Sequence, residues 1–574
     1  MIGFLHIKNI YQYLKKNHTI FDYRKIFLIR MARVKNMSVN CYLLLVFILL
    51  MGSCKNHSHP DKKIFRYNES SGIASLDPAF AKNQSIMWAI HQLYNTLIEV
   101  DSNMQLKPSL AKAWAFSDNN TVITFQLRND VFFHDNACFA KGKGRRVIAK
   151  DVVYSFSRIT EKNTASPGAW IFNNRVDSVN PFTAINDSTF QLKLLTAFQP
   201  ILGILSMQYC SIVPFEAVEK YKNDFRSHPV GTGPFAFVAW EEGQAMVLKK
   251  NEKYFEKDIN GKTLPYIDGI KINFYDSKAT EFLEFQQGRL DFINDIDPSF
   301  KDEILTKTGN LKKEWENKIE LQKHPYLNIE FFGILADTNN AIVKNSPLKL
   351  LKIRQAINYA VDRKKMMLYL RNSIGTAAES GFVPQGLPSF NADIVKGYSY
   401  NPVKAKILLA EAGFANGKNL PEIKLLTIPI YANLASYVAN ELKQLGITVK
   451  VEAMQKSLLL EQTSKQQALF FRGSWIADYP DAENYLSVFY SKNPAPPNYT
   501  RFNNNDFDKL YEQALAETND SLRYHLYRQM DKIIIENAPV VPLWYDVAIH
   551  LVQKNVKQFY PNSLNMLELR KVIK

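Results

Sequence analysis

Residues 422–453 carry three periods in succession, and this stretch narrows the fold furthest. Ile423 to Thr427 reads as a strand. Leu434, Val438, Leu442 and Leu445 then fall on one face of a helix that ends at Gly446. Ile447, Val449 and Val451 alternate with Thr448, Lys450 and Glu452, the period of a half-buried strand. Strand, helix and strand make a βαβ unit, whose right-handed crossover requires a parallel or mixed sheet. The chain is therefore expected to be α/β.

The rest of the chain alternates in the same way. Ile64 to Tyr67 reads as a first strand, and Ile123, Phe125 and Leu127 alternate with polar neighbours as a second. Asn129-Asp130 predicts a turn that returns the chain as a strand through Val131-Phe132-Phe133. Ser346 is an expected N-cap with Pro347 at the first helical position, and Ile353, Ile357, Ala360 and Val361 share one face. Asn401-Pro402 repeats that start signal. Ala405, Leu408, Leu409 and Ala412 form its stripe and Gly413 its end. A chain of 574 residues exceeds what one core holds, so several domains are expected.

Arg33 and Lys35 precede the apolar run from Cys41 to Met51; Gly52, Ser53 and Cys54 follow. A basic start, a short apolar middle and small residues at the cut are the parts of an export signal. The run is too short to span a bilayer. Met51-Gly52-Ser53-Cys54 resembles a bacterial lipobox, which makes Cys54 the lipidated first residue of the mature chain. Residues 1–30 do not fit a signal, and Met31 or Met37 reads as the better start. The tether through residue 62 is polar, and its His57 and His59 are expected to be solvated. Thr196 to Phe215 also lacks charge, but Pro200 and Pro214 cut it; a buried helix followed by a short strand is expected there.

The formal charge of +16 raises nucleic acid as a partner. Eight of the basic residues and one acid precede Cys54, so removing the leader subtracts 7 and leaves +9. What remains is dispersed apart from Lys141, Lys143, Arg145 and Arg146, and no nucleic-acid footprint is expected. The four cysteines form no C-x-x-C pair; whether Cys138 and Cys210 bridge stays open. Gly231-Thr232-Gly233-Pro234 lacks the Gly-Lys-Ser/Thr of a phosphate loop and reads as a hinge or tight turn. His134-Asp135 reads as structural. No metal, cofactor or nucleophile motif appears, so no catalysis is expected.

Several strings, taken in order, resemble the family 5 extracellular solute-binding proteins. They include Leu76-Asp77-Pro78, Tyr94-Asn95-Thr96-Leu97 and Thr124-Phe125-Gln126-Leu127-Arg128. Ala149-Lys150-Asp151-Val152-Val153-Tyr154-Ser155-Phe156, Val230-Gly231-Thr232-Gly233-Pro234-Phe235 and Gln287-Gly288-Arg289-Leu290-Asp291 follow. Arg354 to Asp362 and Trp475-Ile476-Ala477-Asp478-Tyr479-Pro480-Asp481 complete the series. The resemblance covers essentially the whole mature chain; Asn136 to Val147 departs from it and reads as a surface insertion.

The resemblance implies a two-lobed periplasmic-binding-protein type II fold with a third domain and a hinge. Lobe I would comprise 63–106, 229–335 and 535–574, the extra domain 107–228, and lobe II 336–534. A ligand would lie between the lobes. In peptide-binding members the aspartate of the Trp-x-x-Asp-Tyr string takes the ligand's amine. Asp478 would do so here, with Trp475 either walling the cleft or packing in the core. The expected partners are a peptide, an ABC permease with its ATPase, and the membrane through Cys54. The protein itself would be a monomer on the periplasmic side of the envelope. The same motifs occur in members for other solutes, such as a nickel chelate, haem, a glycan fragment or a signalling peptide. Service to an outer-membrane receptor is a further reading.

Overall fold

Two long strands organise the chain. The computed structural model describes residues 62–574; the leader, Cys54 and nearly all of the tether lie outside the described residues. Residues 63–574 form one compact unit. Its first strands are β1 (Ile64–Asn68), β2 (Ile98–Val100), β3 (Leu106–Pro108), β4 (Ala111–Ser117) and β5 (Val122–Leu127). Then come β6 (Phe182–Asn186), β7 (Thr189–Lys193), β8 (Phe235–Glu241), β9 (Ala245–Lys250), β10 (Gly269–Asn273) and β11 (Phe292–Asn294). The last are β12 (Ile319–Ile334), β13 (Thr376–Ala377), β14 (Ile423–Thr427), β15 (Val449–Ala453), β16 (Phe470–Ile476) and β17 (Val540–Gln553).

Eleven of these strands join in one mixed sheet, ordered β15-β14-β16-β12-β17-β11-β1-β10-β9-β8 with β13 against β17. At its centre β12 and β17 run antiparallel. Ile319 to Pro325 pair with Gln553 to Val547, beside β11. Ile329 to Gly333 pair with Tyr545 to Val540, beside β16. Between the two stretches Tyr326, Leu327 and Asn328 oppose Asp546 alone, a bulge that bends the strand. The Leu327 N–H donates to the Ser563 carbonyl at 2.9 Å, and its own carbonyl accepts from the Ala477 N–H at 2.9 Å and the Tyr485 hydroxyl at 2.6 Å. The bulge is thus held from both sides.

Separate cores flank it. One gathers residues from Phe65 through Phe274 together with Val552 to Val572. Within that part β4, β5, β7 and β6 make their own antiparallel sheet. The helix Ala149–Thr160 covers it, its Phe156 ring set edge-on to Phe190 at 5.5 Å. Two more cores are built mainly from residues 327–545. The βαβ unit lies there. β14 is parallel to both β15 and β16, and Leu434, Val438, Leu442 and Leu445 of the connecting stretch are buried. Gly446 has φ +83°, and a Cβ there would stand 2.2 Å from the Asn416 carbonyl oxygen, so no other residue fits.

Four local expectations fail in whole or in part. Val131-Phe133 does not pair with β5, which lies between β4 and β7; Phe132 instead bridges Arg146, so the Asn129-Asp130 turn opens a loop. Thr196 to Phe215 holds a four-residue helix, Ile201–Ile204, but no strand follows. Ser346 caps a short 3₁₀ turn, and the helix with the apolar face starts at Leu351. Gly231-Thr232-Gly233 is neither a tight turn nor a bend with positive φ. It runs buried against the end of the helix Gln84–Leu93, where a Cβ on Gly231 would meet the Leu93 carbonyl oxygen at 2.1 Å. Close approach, not turning, is what demands glycine.

Cys138 and Cys210 are not bonded to each other. Among the described residues no helix is long and apolar enough to cross a membrane.

Candidate functional site

A cavity of about 520 Å³ opens beside the bulge. Residues far apart in sequence build it. The helix Gln84–Leu93 is capped by Asn83, whose side chain accepts from the Ile86 N–H, and turns Gln84, Met87 and His91 to the cavity. Tyr94-Asn95-Thr96 continues that wall, and Met207 to Tyr209 faces it. Tyr326 and Leu327 of the bulge form the back, Ile476 to Asp478 the opposing lip, and segments of 558–571 the floor. The volume suits a ligand of a few residues.

Asp478 sits on that lip. Its side chain reaches the solvent of the cavity, yet it is recessed enough that desolvation holds its carboxyl above the usual range, with the Asn484 hydrogen bond opposing. Asn484 fixes it: the amide oxygen accepts from the Asp478 N–H at 3.2 Å and the Trp475 Nε1–H at 3.0 Å, and the amide nitrogen donates to Asp478 Oδ2 at 3.4 Å. Among the described residues no cation faces this carboxylate, and its field reaches Tyr209, whose hydroxyl burial and Asp478 together push up to about 12. Trp475 is not among the residues that line the cavity. It packs partly buried against the core around Phe331 and Tyr485, and its contribution is the hydrogen bond to Asn484.

Behind Asp478, Tyr479 and Tyr511 both donate to the buried Glu483 carboxylate. Trp170 stacks on Tyr479 with ring centroids 6.4 Å apart, and Gln199 N–H donates to the Leu515 carbonyl at 2.7 Å. Residues 107–228 therefore touch the same wall as Asp478.

The floor is electrostatically dense. Arg570 meets Glu99 at 3.0 Å, Glu256 at 2.6 Å and Glu568 at 3.1 Å, and His91 Nε2 lies 3.3 Å from Glu568. Desolvation pushes the Glu256 carboxyl up to about 7 against the pull of Arg570, with Glu99 and Glu568 adding to the rise. Burial would raise Glu568 too, but Arg570 and His91 hold it low, at about 2. Arg570 and Lys571 answer Glu99 and Glu568, while Glu256, its carboxyl near 7, is only partly ionised at neutral pH, so the floor is close to charge-balanced.

Other singled-out residues are structural. His134 Nε2 lies 2.9 Å from the Gly233 carbonyl oxygen. Asp135 pairs with Lys143 at 3.1 Å and Lys253 at 2.9 Å. Arg145, part of the basic cluster, forks onto Asp151 and Glu216 at 2.6 Å each. Asn484, Tyr209 and the Arg570 cluster were not foreseen, and no local pattern marks them. Among the described residues no three of His, Cys, Asp and Glu gather to hold a metal ion.

The model of the bacterial extracellular solute-binding proteins, family 5, matches residues 105–497. Heme-binding protein A of Haemophilus influenzae is 28% identical over 82% of this chain and 84% of its own. The dipeptide-binding protein of Escherichia coli is 24% identical, over 82% and 87%. The structure superposes with a TM-score of 0.65 on the ABC transporter-associated periplasmic binding protein DppA from Helicobacter pylori in complex with the peptide STSA. That match is 24% identical and covers 88% of this chain and 98% of the other.

A raised folded-state pKa means that ionising Asp478 costs folding free energy. The stability this group contributes is present below the unfolded carboxyl pKa, about 3.9, and lost as pH rises through the folded value. Asp478→Asn in the ligand-free protein is therefore expected to raise the melting temperature near neutral pH, with the gain vanishing in acid. Calorimetric melts across the pH range measure this; a lower melting temperature at neutral pH would show the carboxylate to be structural.

Proposed function

Because the chain belongs to the bacterial extracellular solute-binding proteins of family 5, we propose that it captures peptides with a free amine between two lobes and delivers them to an ABC importer. The observation that carries this reading is Asp478, a carboxylate open to the cavity's solvent yet partly desolvated by its walls, with Asn484 to orient it and, among the described residues, no cation to meet it. An ammonium group supplies the missing charge, and closing the lobes would remove the pair from water, where it is worth more. The dipeptide-binding and peptide-complexed relatives support a peptide as the solute. Main-chain pairing to an extended peptide would supply affinity without sequence preference.

In this reading lobe I comprises 63–106, 229–335 and 535–574, lobe II 336–534, and 107–228 stands beside lobe I. β12 and β17 are the crossing segments and Tyr326–Asn328 the hinge. The protein acts as a monomer held to the membrane through Cys54, and it only binds. A second reading, haem, is favoured by Met87, Met207, Met566 and His91 in the cavity wall and by the name of the Haemophilus relative.

Calorimetry on wild type and Asp478→Asn, each with free and N-acetylated peptides, gives the coupling directly. Leaving a buried ammonium unpaired costs roughly 3–5 kcal/mol, so the substitution should weaken free-amine peptides about a hundredfold or more. Acetylation should weaken wild type and matter less in the variant. Equal binding of free and blocked peptides by wild type would refute the peptide-amine reading; stoichiometric haemin binding in its place would establish the second.

Cys54→Ala should move the protein from the membrane to the soluble fraction. Retention in the membrane, with no acyl label on wild type, would refute the anchor.

A further inference from the structure

The segment that carries Asp478 is held by a distant part of the chain, and the proposed function gives that hold no role. Asp478 and Asn484, the carboxylate and the amide that orients it, flank Tyr479 and Glu483 in sequence. Tyr479 is 3% exposed. Among the described residues it is the one buried side chain between Phe292 and Val552 that joins the core running from Phe65 through Phe274. Its neighbours Ala482, Tyr485 and Leu486 join the core around Phe331 instead. One side chain thus crosses into the other part of the molecule.

Trp170 receives it. The Trp170 ring, on the short turn Ala169–Ile171, stacks on Tyr479 at 6.4 Å with 30° between the planes. Arg175 backs the tryptophan: its guanidinium lies 5.6 Å from the ring centroid and donates to the Trp170 carbonyl at 3.0 Å. The chain leading to this turn is pinned elsewhere. The Ser166 hydroxyl donates to the Ala79 carbonyl at 2.6 Å and accepts from the Gly168 N–H at 3.0 Å, and Arg158 forks onto Asp77 at 2.8 and 3.1 Å. Asp77 and Ala79 stand a few residues before the helix Gln84–Leu93, the cavity wall opposite the lip.

A second hold falls on the helix Asn505–Ala516. The last carbonyls of a helix have no partner within it. Here the Leu515 carbonyl accepts from the Gln199 N–H at 2.7 Å and the Ala516 carbonyl from Asn120 Nδ2 at 3.2 Å. Tyr511 of that helix and Tyr479 both donate to Glu483. Residues 107–228 therefore grip the Glu483 bracket from both sides, and that bracket lies between the two residues that make the amine site.

We propose that residues 107–228 position the amine site: Trp170 seats Tyr479, Gln199 and Asn120 cap the helix behind it, and together they fix the Asp478 carboxylate at its distance from the opposite wall. The inference rests on the reading that Asp478 takes a ligand's amine. A carboxylate held in place before the ammonium arrives loses little conformational freedom on binding. Released from its seat, the lip would turn the charge out into water, where an ion pair is worth less. Trp170 is the principal positioning residue.

Trp170 also lines the cavity, so the test must separate positioning from direct contact. Calorimetry of the full chain in detergent with alanine peptides of two to five residues, each free and N-acetylated, does so. Trp170→Ala is expected to weaken the free peptides about tenfold and the acetylated ones about twofold or less, whereas a lost wall contact would weaken both alike. Trp170→Phe keeps a ring on Tyr479 and should restore most of the difference. In the ligand-free protein, the rise in melting temperature that Asp478→Asn brings near neutral pH should shrink by about half or more in the Trp170→Ala background, because a released lip rehydrates the carboxylate. Asn120→Gly suits the φ of +65° at that position and removes a solvent-exposed hydrogen bond. It should act in the same direction by about threefold, and it decides the matter if Trp170→Ala does not fold. A folded variant that keeps the full free-to-acetylated ratio, or the full gain from Asp478→Asn, would overturn the inference and leave the peptide reading standing. A parent protein that binds both forms equally, or neither, would refute the amine reading and this inference with it.

Discussion

The antiparallel pairing of β12 with β17, interrupted at Tyr326–Asn328, is the constraint on which the rest depends. Along most of their length these strands exchange ladder hydrogen bonds and bury Ile329, Phe331 and Phe332. At the bulge three residues oppose Asp546 alone. A strand bends where its ladder is broken. Leu327 then spends its N–H on Ser563 and its carbonyl on Ala477 and Tyr485. Ala477 precedes Asp478, so the bond that holds the bulge also sets the height of the carboxylate above the cavity. One hydrogen bond thus joins the bulge to the strand end that carries Asp478.

Most recessed carboxylates in this protein have a cation. Glu330 takes both oxygens to Arg472 at 2.6 Å, Asp77 meets Arg158 at 2.8 Å, and Asp151 meets Arg145 at 2.6 Å. Asp478 has an amide for a neighbour instead. Desolvation without a paired charge is unfavourable; Glu483 and Asp531, which also pair with no cation among the described residues, are met by tyrosine hydroxyls and backbone N–H groups, whereas the Asp478 carboxylate is met by the Asn484 amide and opens on the cavity. The aromatic and thioether side chains of the wall add area without fixing which side chains a ligand must carry.

How much of this was legible follows from how local each signal is. The βαβ unit was readable because its periods and the closing Gly446 lie within about thirty residues; in a separate helix, Pro402–Glu411, Asn401 is the cap that its side chain suggests. The α/β class came from such strings, whereas the role of Asp478 was implied by the family resemblance and stands as a proposal. The crossing strand β12 was not readable: His324-Pro325-Tyr326 looks like a break, and only its pairing with a strand more than two hundred residues away makes it continuous. Asn484 matters through three hydrogen bonds to residues that its own neighbourhood does not announce. The tight-turn alternative at Gly231 and Gly233 fails because glycine serves both turns and close approach, and the approaching chain, Leu93, is set by tertiary packing. The Asn129-Asp130 turn is genuine chemistry with a different outcome, because β7 had already taken the edge of β5.

Closure of the two lobes about Tyr326–Asn328 on peptide binding is the central claim, since it turns a carboxylate on an open lip into one buried with its ligand. Small-angle scattering of the purified protein, with and without peptide at a concentration that calorimetry shows to be saturating, tests it most directly. A smaller radius of gyration with peptide is predicted. Identical profiles with and without saturating peptide, at a radius larger than that of a peptide-bound crystal form of the protein, would contradict it.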